Sequence, residues 1–154
     1  AKFWHAWYPY QYSTLIGTSF TNIEAQNVDF RWANLTQADF RPSFPGGTDL
    51  RWAVFDDANL YKANLSGANL EGAFFIHAYL ECADLSNADL VSVNFVNANL
   101  MNADLSDSDL TGANFAGANM VGANLNSANL TGVTLSSTQL SVIVTTPPLP
   151  GSCP

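Results

Sequence analysis

At 154 residues the chain is long enough for one domain with a continuous core, and its 47% hydrophobic content excludes intrinsic disorder. Charged residues make up only 12%, and the longest apolar runs last a few residues, so no segment spans a membrane as a helix. The net charge of −8 is unevenly placed: five bases and six acids lie up to position 62, and seven acids with no Lys or Arg come after it. A body of that sign repels nucleic acid and anionic lipid, which removes both from the candidate ligands.

The chain starts at Ala1 with neither the basic nor the apolar region of a signal peptide, as expected if a targeting segment has been cleaved after a small residue. Residues 1–13 read as an N-terminal arm or cap. Six of the first twelve residues are aromatic (Phe3, Trp4, Trp7, Tyr8, Tyr10 and Tyr12), with Pro9 among them and almost no charge. Such a segment either covers an open end of the folded body or lies against a partner or a membrane interface, where Trp and Tyr are favoured.

Residues 14–140 are ruled by a period of five. Counting by fives from Leu15 to Leu140, 24 of 26 positions are Leu, Phe or Met, the exceptions being Ala25 and Pro45. Two residues before each centre stands a small residue, usually Ala, and one before stands mostly Asn or Asp, as in Ala63-Asn64-Leu65 and Ala83-Asp84-Leu85. Five matches neither the helix period of 3.6 nor the strand period of 2. Four pentads, however, make a coil with four equivalent sides, each turning one large and one small residue inward. Stacked coils then bury what a single coil cannot. The regular Asn and Asp are expected to serve turns and ladders of hydrogen bonds. Phe55, Phe75, Phe95 and Phe115 recur at every fourth pentad, which predicts a stacked phenylalanine ladder in the core.

This pattern resembles the pentapeptide-repeat family, whose motif reads A(D/N)LXX, over roughly residues 14–140. The resemblance implies an all-β fold, a right-handed quadrilateral parallel β-helix of about six and a half coils, ~30 Å long at one strand spacing per coil.

The repeat is broken at residues 41–49, where two prolines and Gly46-Gly47 predict a loop or bulge that preserves the count. Flanking it are Arg31-Trp32-Ala33 and Arg51-Trp52-Ala53, four pentads apart. On an unbroken coil they stack on one outer side, Trp over Trp and Arg over Arg, with Glu71 placed to pair with Arg51. Exposed Trp and Arg are enriched at interaction hot spots. Arg31, Trp32, Arg51 and Trp52 therefore join the aromatic arm as candidate partner-binding residues; the alternative is that the indoles pack on each other and on the loop. The Pro-rich tail, residues 141–154, leaves the repeat, with Val142–Val144 placed to close the last coil. A dozen extended residues easily cover the ~14 Å back to Cys82, so Cys153 can pair with it. Two free thiols is the default reading and the disulfide the alternative.

Catalytic chemistry finds little support. His5 and His77 have no nucleophile at a known spacing; Cys82, one pentad beyond His77, lacks an orienting group or oxyanion hole. No phosphate loop, zinc spacing, cofactor motif or small-molecule site is present. Asp84 with Asp104, and Asp89 with Asp109, are expected to stack, Asp107 adding to the cluster, and stacked like charges either raise a pKa or attract a cation. The reading that results is a non-enzymatic structural or protein-interaction module. The resembled family is abundant in cyanobacteria and also occurs in the chloroplast lumen. That resemblance implies a thylakoid-lumen or periplasmic accessory subunit docking on a photosynthetic membrane complex. Two alternatives stand beside it: a DNA mimic that inhibits a type II topoisomerase, as one branch of the family does, and a cytoplasmic regulatory scaffold. The modest charge and the Pro-rich tail argue against the mimic.

Overall fold

The computed structural model describes residues 13–44, 46–143 and 153. Each pentad forms one side of a coil. The residue before each centre makes a parallel β pairing one residue long with its counterpart in the next coil, as at Asn64↔Asp84 and Asp84↔Asp104. Backbone hydrogen bonds run up the stack through those pairs: Leu65 N–H donates to Asp84 O at 2.7 Å, and Asn64 N–H to Ala38 O at 2.9 Å. The chain turns each corner at the second residue after a centre, which takes a left-handed φ near 57°, as at Asn27, Asn87 and Asn97. Asn and Gly tolerate that region best, and they crowd this place in the repeat.

Four columns of pairings define four sides. Side 1 runs through Asn34, Asn59, Tyr79, Asn99 and Asn119; side 2 through Asp39, Asn64, Asp84, Asp104 and Asn124. Side 3 runs through Glu24, Asp49, Asn69, Asp89, Asp109 and Asn129; side 4 through Asp29, Val54, Phe74, Asn94 and Asn114. The molecule is a β-helical solenoid whose interior holds the centres and the small residues, with Leu35, Leu60, Ala63 and Leu80 fully buried. On side 4 the rings of Phe55, Phe75, Phe95 and Phe115 stack at centroid distances of 4.7, 5.2 and 5.1 Å. Phe30 extends the stack, 5.1 Å from Phe55.

That extension exposes a slip in the count. Partners lie four pentads apart along most of the rod, but five pentads apart at Glu24↔Asp49, Asp29↔Val54, Asn34↔Asn59 and Asp39↔Asn64. One whole pentad of the 41–49 segment is therefore looped out of the coil rather than standing in it. Proline explains the expulsion, since Pro42 has no N–H for the ladder and cannot take the left-handed corner. The neighbouring coil adapts. Asn22 N–H donates to Thr48 Oγ1 at 3.0 Å, and Asn22 Oδ1 accepts from Ser43 N–H at 2.7 Å, pinning the loop to the rod.

The C-terminal end also departs from the count by fives. Leu140, a centre by spacing, is 58% exposed, because residues 137–142 form a short helix, α1 (Ser137–Val142). Its start is a capping box in which Ser136 Oγ accepts from Gln139 N–H and Gln139 Oε1 accepts from Ser136 N–H. Gln139 then points into the end of the rod, where its amide donates to Phe115 O at 2.8 Å and Ala118 O at 3.2 Å. Position 139 is one coil above Asn119, whose own N–H donates to Ala98 O. The Gln139 side chain thus takes the place of the backbone amide that a further coil would supply to Ala118 O. Val142 O accepts from Gly122 N–H at 3.0 Å, so Val142 does continue the stack at one corner.

Candidate docking face

Side 4 differs from the others in chemistry. The pairing residue that faces outward is mostly Asn or Asp; side 1 has Tyr79, but only side 4 sets two apolar residues, Val54 and then Phe74, one coil apart. Asx residues fix the next turn by accepting from the amide two residues on, as Asn64 Oδ1 does from Ser66 N–H at 3.0 Å and Asp84 Oδ1 from Ser86 N–H at 3.0 Å. Phe74 has no such oxygen. Asp56, in the coil below, fills the vacancy and accepts from Ile76 N–H at 2.8 Å. Burial pushes the Asp56 carboxyl above the usual carboxylate range, and the charge of Asp57 adds to this; the Ile76 bond, Arg31 and His77 oppose it.

Trp52 stands at the corner leading onto side 4, with φ +60, and is 48% exposed. Its indole lies across Gly72 of the next coil, so closely that a Cβ on Gly72 would overlap Trp52 Cζ3 and Cε3. Phe74, two residues beyond Gly72, is 37% exposed. Trp52, Val54 and Phe74 thus form one apolar patch, with half-buried Ile76 at its far corner.

The Arg-Trp triplets are not stacked as their four-pentad spacing predicts. The looped-out pentad places Trp32 beneath Asp57 and Trp52 beneath Gly72, because the coil between the triplets holds five pentads instead of four. Trp32, 43% exposed, stands at the opposite corner of side 4, one coil lower. The two indoles flank the same side instead of covering each other. Nor does Arg51 pair with Glu71. Each arginine folds back on the Asp two residues before it: Arg31 on Asp29 at 2.7 Å, Arg41 on Asp39 at 2.8 Å, Arg51 on Asp49 at 2.7 Å. The hydrogen bond from Arg51 holds the Asp49 carboxyl at about 2, and Gln26 assists. Arg31 also lies 5.4 Å over the Trp32 ring.

Phe3, Trp4, Trp7, Tyr8, Tyr10, Tyr12 and His5 lie outside the described residues. Cys82 and Cys153 are joined by a disulfide, with Cα atoms 5.8 Å apart, which corrects the default of two free thiols and removes Cys82 as a partner for His77. The tail reaches Cys82 because both ends of the connection lie along one edge of the rod. Asp84↔Asp104 and Asp89↔Asp109 do pair across coils, and hydroxyls and amides meet their oxygens. Ser86 and Ser106 hydroxyls donate to Asp84 and Asp104, and Asn124 donates to Asp104. Thr111 and Asn129 do the same at Asp109, whose carboxyl is held below its ordinary range by Thr111, the reverse of the shift expected for stacked like charges. Among the described residues no three His, Cys, Asp or Glu side chains converge as a metal site would require.

A solenoid of cornered pentads, with Asx turns outside and Leu, Phe and Ala inside, defines the class as a repeat β-helix. The model of pentapeptide repeats matches in eight copies over residues 11–41, 46–72, 68–107 and 108–141. The chain belongs to the pentapeptide repeat family. It is similar to a pentapeptide repeat protein from the Arabidopsis thaliana thylakoid lumen, with 34% identity, TM-score 0.54, and 75% of this chain and 72% of that one covered. It is also similar to the pentapeptide repeat protein Rfr23 from the cyanobacterium Cyanothece 51142, with 30% identity, TM-score 0.56, and 80% and 88% covered. No curated protein matches the sequence.

Proposed function

We infer that this chain is a non-enzymatic protein-interaction module, a rod that docks through side 4 onto a larger protein assembly. The observation that carries the reading is the patch of Trp52, Val54 and Phe74 on a rod whose other outward pairing positions are mostly Asn and Asp, with Tyr79 on side 1 the other aromatic among the described residues. A partially exposed aromatic pair beside aliphatic residues, with arginines at its rim, has the composition of an interface hot spot. The aromatic segment of residues 1–13 belongs to the same docking apparatus. In the finer reading the rod is right-handed, with about six coils at one strand spacing each, the looped-out pentad and α1 standing outside them. It is an accessory subunit of a photosynthetic membrane complex on the lumenal side of the thylakoid. The similarity to the Arabidopsis lumen protein supports that compartment.

The test is affinity capture from native thylakoid membranes with the full chain, a Trp52→Ala/Phe74→Ala variant and a chain lacking residues 1–13. The full chain is expected to recover a membrane complex that the double variant loses and the shortened chain binds more weakly. Equal recovery by all three sinks the docking face and the arm together.

A further inference from the structure

The disulfide is placed where it can act on the end of the rod. Cys82 occupies the corner between sides 1 and 2, in a column with Lys62 below it and Asn102 and Gly122 above. Gly122 N–H, at the top of that column, donates to Val142 O, the last residue of α1. Cys153 Sγ lies 3.9 Å from Asn102 O. The chain therefore leaves the cap at this corner and is bonded back to the same corner three coils lower, ten residues after Ile143.

The cap needs help to stay seated. A helix of six residues has no stability of its own in water. Leu140 faces outward, and among α1 residues only Gln139 is buried. The seat consists of the Gln139 amide on two carbonyls, the Val142 bond and half-buried Ile143 against the core. Terminal coils of a solenoid have a neighbour on one side only and open first. An anchor about three strand spacings away returns an opened cap to its seat, because the tethered segment cannot diffuse off.

We propose that the Cys82–Cys153 disulfide is a reducible latch on the C-terminal cap, opened by a dithiol reductant. Both cysteines are half-buried, so an incoming thiolate has access to the bond. One thiolate of the dithiol attacks a sulfur of the bridge, forming a mixed disulfide and releasing the other cysteine as a thiolate, which takes up a proton. The second thiol of the reductant then displaces the first cysteine. Two electrons and two protons pass to the protein, the dithiol leaves as its cyclic disulfide, and the cap of α1 and Ile143 loses its lower anchor. The opened end uncovers Phe115, Leu125, Leu130 and Leu135. The latch corner is diagonally across the rod from the Trp52 corner, so the switch stands independently of the docking face.

Hydrogen exchange on the full chain, oxidised and after millimolar dithiothreitol, tests this alongside Cys153→Ser. On reduction, amides of residues 113–143 are expected to exchange about tenfold faster or more, with a clearly smaller change over residues 50–75. Cys153→Ser shows the fast pattern without reductant and no further response to it. Unchanged exchange at the cap after reduction overturns the latch, as does a bridge that thiol labelling shows to resist dithiothreitol in the folded protein. Equal acceleration along the whole rod overturns it as well, making the bridge a general staple.

Discussion

Trp52 and Gly72 illustrate how one residue constrains the coil above it. The indole occupies the space a Cβ at Gly72 would fill, and Gly72 also has a left-handed φ of +67. Gly72→Ala is therefore expected to cost about 1–2 kcal/mol in urea unfolding and to shift the tryptophan emission, as Trp52 is pushed off its seat. Adding Trp52→Ala should recover the steric part and leave only the backbone part. Two carboxylates on this half of the rod respond to pH with opposite signs. Asp49, held at about 2 by Arg51, contributes stability that is present above its unfolded value and lost as pH falls from about 4 through 2. Arg51 is 43% exposed and solvent screens the pair, so Asp49→Asn should cost no more than about 1 kcal/mol at pH 7. Asp56, raised by burial, is a poorer anion folded than unfolded and works against folding at pH 7. Asp56→Asn keeps the oxygen that accepts from Ile76 N–H and removes the charge, so it should be neutral or slightly stabilising. A clear loss at pH 7 would show that the Arg31 attraction outweighs desolvation.

At the level of elements, the phenylalanine ladder and the cap carry different kinds of stability. Phe75 stacks on both neighbours within the fully buried core, and Phe75→Ala is expected to cost about 3–5 kcal/mol by leaving a cavity in mid-rod. Gln139 works through hydrogen bonds. Gln139→Leu keeps the bulk but strands the carbonyls of Phe115 and Ala118, at about 1–3 kcal/mol. That loss should be local, read as faster exchange over residues 113–143 with little change near Phe55. The cap has a signal in the sequence: Ser136 followed three residues later by Gln139 is a capping box. It is masked because Thr138-Gln139-Leu140 also fits the small–amide–Leu pattern, and the count by fives runs through it. Val54 and Phe74 are equally visible as departures from Asn and Asp, yet what they mean depends on Trp52 lying across Gly72.

For the whole molecule, the looped-out pentad decides which residues are neighbours. Deleting residues 42–46 would leave Phe40-Arg41-Gly47-Thr48-Asp49-Leu50, a regular pentad with Gly at the corner and the already buried Thr48 in the small inward place. The shortened chain is expected to fold with its vertical neighbours unchanged, Asp49 over Glu24 and Asp57 over Trp32 now at the ordinary four-pentad spacing, so its aromatic circular dichroism should match that of the parent. A folded variant that gains an exciton couplet, with Trp32 brought beneath Trp52, would mean that the pentad stands in the coil rather than outside it. The sequence by itself determined the pentad, the four sides, the inward Leu, Phe and Ala, and the turn role of Asn and Asp, because each follows from contacts within a few residues. The vertical neighbours around the looped pentad were decided only in the tertiary structure: Trp32 under Asp57, Phe30 under Phe55, and at the far end Cys153 beside Cys82. Periodicity leaves the local pattern unchanged when a whole pentad is expelled, whereas every contact between coils depends on the total number of residues in the turn that separates them.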